Sequence, residues 1–165
     1  MSPRVLVAGI GNIFLADDGF GCEVVRHLQD LEALPDVHVA DYGIRGMHLA
    51  YDLLDGWDLA VLVDALPDRG DQGRVEVLEV RAADNGSGWL DAHGMDPVAV
   101  LSGVTALGGQ LPRTCLVGAQ VVDVEERMGL SDLVSAAVVP AASAVRELVR
   151  EHLALSGPRR AQRVG

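Results

Sequence analysis

Positive charge is scarce in this chain, with 13 Lys and Arg residues against 24 Asp and Glu and a formal net charge of -11. Unspecific nucleic-acid binding needs a basic surface to displace counterions, so it is excluded as a function, whereas a cationic partner is permitted. Cysteine is scarcer still: Cys22 and Cys115 form no C-x-x-C pair and no cluster. A zinc or disulfide framework is therefore excluded. No apolar run approaches 18 residues and no cleavable leader precedes Val5, so the expectation is a cytoplasmic protein that neither enters nor anchors in a membrane. No G-x-S-x-G elbow is present, and no Ser or Cys stands with a His and a carboxylate at triad spacing, which disfavours acyl-enzyme chemistry. H-E-x-x-H is also missing, so the chain is no zincin. Aromatic residues make up 4% against 49% hydrophobic residues overall. The core must then be aliphatic, in the manner of α/β proteins, and 165 residues suffice for one domain burying about 70% of its unfolded surface.

What the chain does have is concentrated near its start. Val5-Leu6-Val7-Ala8 is apolar without alternation, as a parallel strand covered on both faces requires. Gly9 and Gly11 allow a sharp turn, and Cys22, Val24, Val25 and Leu28 mark one face of a helix over 22–28. The G-x-G of a dinucleotide fingerprint begins here but is not completed: Phe14 occupies the place of the third glycine. Asp17 and Asp18 stand where a pyrophosphate would approach, and two carboxylates about 4 Å apart already repel by about 1 kcal/mol in water. A cation suits this loop better than a phosphate.

Along the chain, a second strand over 37–40 ends at Asp41, and the loop 41–46 leads into a short helix marked by Met47, Leu49, Ala50, Leu53 and Leu54 and closed by Asp55-Gly56. A third apolar strand, 59–65, carries Asp64 at its end. Three strands each followed by a crossover lie parallel, so Asp18, Asp41 and Asp64 share the C-terminal edge where α/β sheets place their sites. Each alone could equally be a cap or turn former. Val75, Val77 and Val80 alternate with charged residues as in a half-exposed edge strand. The irregular stretch 82–95 contains Asn85-Gly86-Ser87-Gly88, Trp89 and His93, a length that within a compact domain points to function or mobility. Asp96-Pro97 reads as an N-cap and first helical residue of a helix ending near Ala106. A last strand covers 114–119, and Ser131 caps a helix reaching about Leu155, kinked at Pro140. Residues 158–165 read as a solvated tail, leaving 1–157 as a single domain. His27, His38, His48 and His152 fall within helices or a strand and read as structural or solvated. Cys22, near a helix start, reads as a small buried side chain before a nucleophile.

The motif Gly9-x-Gly11-Asn12, then four intervening residues, then Asp17-Asp18-Gly19-x-Gly21 resembles the opening motif of the [NiFe]-hydrogenase maturation endopeptidases. Asp41, Gly43 and Gly46 match that family's Asp-Gly-Gly-Thr-x-Gly, with Tyr42 and Ile44 departing from it. His93 through Leu101-Ser102 matches the placement of the family's metal-site histidine. Gln120 matches a Gln-Pro whose proline is here Val121, and Gly129-Leu130-Ser131 matches well. The resemblance runs from about Val5 to Leu153. It implies removal of the C-terminal extension from the hydrogenase large-subunit precursor after nickel insertion, with metal ligands at Asp18, Asp64 and His93, the first often Glu in the family. Two carboxylates and an imidazole suit Ni, Fe or Zn and leave positions open. Nickel is expected to be recognised in the substrate, with Cd or Zn able to substitute in vitro. The implied chemistry is water attack on a peptide carbonyl, aspartic-type or metal-assisted, with Asp18, Asp41 and Asp64 as catalytic carboxylates and Asp17 a further candidate base. The implied partner is the nickel-loaded precursor, met by a monomer. The implied fold is a three-layer α/β/α sandwich, phosphorylase/hydrolase-like, around a mostly parallel twisted sheet of about five strands with one antiparallel edge strand. Two other classes remain: a non-catalytic nickel-binding checkpoint or delivery protein with the same ligands, and a nucleotide-binding oxidoreductase.

Overall fold

A computed structural model describes residues 3–80 and 97–155. His93, the loop 82–95, the Asp96 cap and the tail 158–165 lie outside the described residues. The order is β1 (Val5–Ile10), a 3₁₀ turn (Ala16–Gly19), α1 (Phe20–Arg26), α2 (Gln29–Glu32), β2 (Val37–Gly43), α3 (Gly46–Leu53), β3 (Leu59–Leu66), β4 (Val75–Val80), α4 (Pro97–Ala106), β5 (Arg113–Gln120) and α5 (Asp132–Leu155). The five strands form one sheet in the order β2-β1-β3-β5-β4. β2, β1, β3 and β5 run parallel, and β4 closes the edge antiparallel to β5.

The continuous apolar runs of β1 and β3 are explained by two cores. Val5, Val7, Val61 and Val63 pack with α1 and α5 on one face, while Leu6, Ala8, Ile10 and Leu62 pack with α3 and α4 on the other. Successive residues point to opposite faces, so a strand covered twice must be apolar at every position. Fully burying each such side chain stabilises the fold by about 1.5–3 kcal/mol. The three-layer sandwich with an antiparallel edge strand is thus the observed architecture.

The structure differs from the sequence reading in three places. Helix α1 begins at Phe20, two residues early, because Gly21 lets its first turn press against the ends of β1 and β3. β2 runs on to Gly43, with Tyr42 the extra residue where the register shifts between Gly9↔Asp41 and Ile10↔Gly43. On β4, Val77 is 47% exposed, whereas Leu78 and Val80 pack against the α3/α4 core and Val75 against the other. Glu76 therefore shares a face with half-buried Leu78 and Val80, while Glu79 shares the other with Val75 and exposed Val77. Helix α5 runs from Asp132 to Leu155 with Pro140 inside it, to the end point that the sequence indicates.

Val121 also gains a reason. Its N–H donates to the Leu66 carbonyl at 3.0 Å, a bond proline could not make. Gln120, almost wholly buried, accepts from the Arg69 and Asp71 N–H groups at 2.8 and 3.1 Å and so fixes the turn after β3.

Candidate active site

The C-terminal ends of β1, β2 and β3 meet at one edge because the parallel register puts Gly9 beside both Asp41 and Val63. Asp64 follows one residue later on β3, opposite Gly118 of β5. Asp18 reaches the same edge from the 3₁₀ turn that β1 feeds, its carboxylate accepting the Asn12 N–H at 2.9 Å. Asp18 and Asp64 are 9% and 7% exposed. Burying carboxylates is costly unless they are hydrogen-bonded or matched by opposite charge, so two on one sheet edge single out this place. Asp64 Oδ1 accepts its neighbour's Ala65 N–H at 2.8 Å.

Asp41 is exposed. Its Oδ1 accepts the Gly43 N–H at 2.9 Å, and Arg45 grips the backbone of the same segment, donating to the Asp41 carbonyl at 2.7 Å and the Tyr42 carbonyl at 3.2 Å. Tyr42 itself turns away from the edge into the α3/α4 core, and its hydroxyl donates to Asp52 at 2.6 Å. Burial and that carboxylate raise the phenol above its usual range. Ile44, the other departure from the family pattern, is 67% exposed.

Sequence reasoning did not foresee the neighbours of Cys22. Its buried Sγ donates to the Gly11 carbonyl at 3.5 Å, and the Asp41 carboxylate is close enough to act on the thiol. Burial pushes the thiol well above the usual cysteine range, and the hydrogen bond to Asp41 with the charges of Asp41 and Asp64 act in the same direction. A thiol of this kind is held protonated at neutral pH and is a poor nucleophile. Iodoacetamide at pH 7.5 should therefore label Cys22 of the native protein at least tenfold more slowly than in urea; equal rates would contradict the burial. The signal available in the sequence was Gly21 immediately before it, since a glycine there lets the helix start press onto the strand ends.

Asp17 does not join the group. Its carboxylate is fully buried and turned toward the loop after β5, which removes it from the candidate bases. Among the described residues no three His, Cys, Asp or Glu side chains come together as a metal-holding set. Asp18 and Asp64, two of the three ligands that the resemblance implies, stand on one edge, and His93, the third, lies outside the described residues. Such a donor pair suits a divalent cation that brings further ligands with it. Of the other histidines, His38 stacks on Trp57 with ring centroids 6.0 Å apart, and His27 and His48 are about half exposed beside Glu23 and Asp52. The His152 Nε2 is buried and has no hydrogen-bond partner among the described residues, and burial lowers its basicity.

The rim of this edge is apolar. Ile13 and Phe14 after β1, Ile44 and Met47 after β2 and Met128 after β5 are 44%, 61%, 67%, 62% and 65% exposed. A groove of about 380 Å³ opens beside Gly19, lined by Ile13, Met128 and Leu130 with Glu23 and Arg26.

Comparison with known proteins agrees with this geometry. Residues 22–148 match the family model described as hydrogenase maturation protease. The hydrogenase 2 maturation protease of Escherichia coli is 31% identical over 163 residues, covering 96% of this chain and 98% of the relative. The hydrogenase expression/formation protein HupD of Rhizobium leguminosarum is 32% identical over 152 residues, 89% of this chain and 75% of its own. Among solved structures, the hydrogenase maturating endopeptidase HybD from E. coli superposes with a TM-score of 0.74 at 27% identity, covering 90% of this chain and 93% of that one. The hydrogenase 2 maturation peptidase from a Thaumarchaeota archaeon gives 0.65 at 32% identity, with 88% and 97% covered.

Proposed function

The chain belongs to the hydrogenase maturation protease family, and from that premise we propose that it is an endopeptidase that removes the C-terminal extension of a [NiFe]-hydrogenase large-subunit precursor after nickel insertion. The observation that carries the reading is the pair of buried carboxylates, Asp18 and Asp64, on the sheet edge that Asp41 also reaches. Nickel arrives in the precursor. Asp18 and Asp64, with His93, are the groups that would meet it, so docking brings the scissile bond to the carboxylates, with the reacting groups held in place. Asp41, exposed and oriented by the Gly43 N–H and by Arg45, is the group placed to take a proton from the attacking water. The apolar rim suits contact with a folded partner, and the acidic chain suits a cationic centre in it. The same reading has the protein act as a monomer in the cytoplasm; among the described residues no helix is long and apolar enough to cross a membrane.

The decisive experiment is mass spectrometry of the large-subunit precursor, with and without nickel, before and after incubation with this protein. Nickel-loaded precursor should be cut once near its C-terminus and nickel-free precursor should resist. Equal cutting of both would remove the nickel gate while leaving the peptidase. Binding of the nickel-loaded form without any cutting would favour the checkpoint or delivery alternative.

A further inference from the structure

The Asp17 carboxylate makes four contacts with a loop more than a hundred residues away. Oδ2 accepts the Val122 and Asp123 N–H groups at 2.9 and 3.0 Å and the Ser131 hydroxyl at 2.8 Å, while Oδ1 accepts the Ser131 N–H at 2.7 Å. Bonds to an ionised acceptor are about twice as strong as neutral ones, and they leave this fully buried carboxylate well satisfied. Backbone bonds run alongside: Ala16 N–H to the Arg127 carbonyl at 2.7 Å, Arg127 N–H to the Phe14 carbonyl at 3.0 Å and Asp17 N–H to the Asp123 carbonyl at 3.0 Å. Ala16, between them, is held at φ +49°, a left-handed conformation that a non-glycine residue keeps only where its surroundings impose it.

The fastened loop contributes little to either core. What it does is bring Met128 and Leu130 across from Ile13, forming the far side of the groove whose near side includes Gly19, the residue after Asp18. We propose that Asp17 is a positioning residue: by tying residues 122–131 to the turn that carries Asp18, it sets Met128 as the wall of a groove that receives the precursor chain beside the scissile bond, seating one apolar side chain. The occupant follows from the groove's place beside Gly19, next in the chain to Asp18, and from the lining, apolar at Ile13, Met128 and Leu130, with Glu23 and Arg26 offering polar groups to an extended backbone. This inference rests on the endopeptidase reading.

Steady-state cleavage of nickel-loaded precursor tests it. M128A should raise KM about five- to tenfold, and D17N, which replaces an acceptor of four bonds by an amide, should raise it at least as much, with kcat less affected. In the D17N background M128A should add less than twofold, since a displaced wall has nothing left to lose. S131A, which removes the hydroxyl donor alone, should raise KM about twofold and serves if D17N does not fold. KM unchanged in S131A and D17N, or full additivity of D17N with M128A, would overturn the proposal. Should the parent protein cut no precursor, the endopeptidase reading fails, and amide exchange still decides the fastening. Val122, Asp123 and Ser131 amides that lose protection in D17N while β1 and β3 keep theirs support it; unchanged protection overturns it.

Discussion

Asp64→Asn is expected to lower cleavage of the nickel-loaded precursor by about a hundredfold or more, the order by which a misplaced scissile bond slows its reaction. The substitution keeps the shape of the side chain and an oxygen to accept the Ala65 N–H, so the fold should survive and circular dichroism should match the parent. Asp18→Asn is expected to behave alike, retaining an oxygen for the Asn12 N–H. The two differ from Asp41→Asn in what they do to binding. Asp18 and Asp64 are assigned to the metal in the precursor, so their loss should weaken pull-down of nickel-loaded precursor. Asp41→Asn should bind it and leave it uncut. Cleavage by Asp64→Asn within tenfold of the parent would remove Asp64 from the site. Normal turnover by Asp41→Asn would move the base to another carboxylate.

The second large effect is on folding. Gly21→Ala is expected to cost about 3 kcal/mol or more, at the upper end of overpacking substitutions. A Cβ on Gly21 would stand 2.0 Å from the Val63 carbonyl oxygen and 2.4 Å from that of Ile10. Both neighbours are main chain of the central strands, and neither can move without breaking the sheet register that places Asp64 beside β1. For a domain of this size about 3 kcal/mol lowers Tm by about 6–12 °C. Gly56→Ala is the control. Nothing lies within 4 Å of its Cβ position, and only its φ of +76° opposes the change, so a loss of about 1–2 kcal/mol is expected. Thermal denaturation of the two variants side by side checks the argument; a Gly21→Ala protein melting within 3 °C of the parent would mean that α1 does not press on the strand ends as described.

The parts of the site legible in the sequence were those written in short-range pattern. Asp64 follows a continuous run of Leu, Ala and Val that only a doubly covered strand explains, Asp41 follows a shorter strand with His38 exposed on it, and each carboxylate stands within two residues of its strand's end. Gly9, Gly11, Gly19 and Gly21 flag a loop pressed against main chain. Asp17 illustrates the limit. Nothing local separates it from Asp18, yet one carboxylate faces the sheet edge and the other the loop after β5, because in a 3₁₀ turn adjacent side chains diverge by about a third of a turn. Their partners are decided by which segments come to either side.

Composition and pattern alone determined the fold class: an acidic chain with an aliphatic core, three parallel strands with crossovers, an edge strand, and carboxylates gathered at the strand ends. Those follow from hydrophobic period and from the right-handed connection of parallel strands, which are properties of neighbouring residues. Only the tertiary structure decided the bulge that turns Tyr42 into the core, the Cys22 thiol lodged against Asp41, the inversion of exposure along β4, and the bonds from Asp17 to Val122, Asp123 and Ser131. Each depends on contacts between segments distant in the chain, where the gain comes from satisfying a buried polar group or filling a particular space, and no local periodicity records which distant residue will do so.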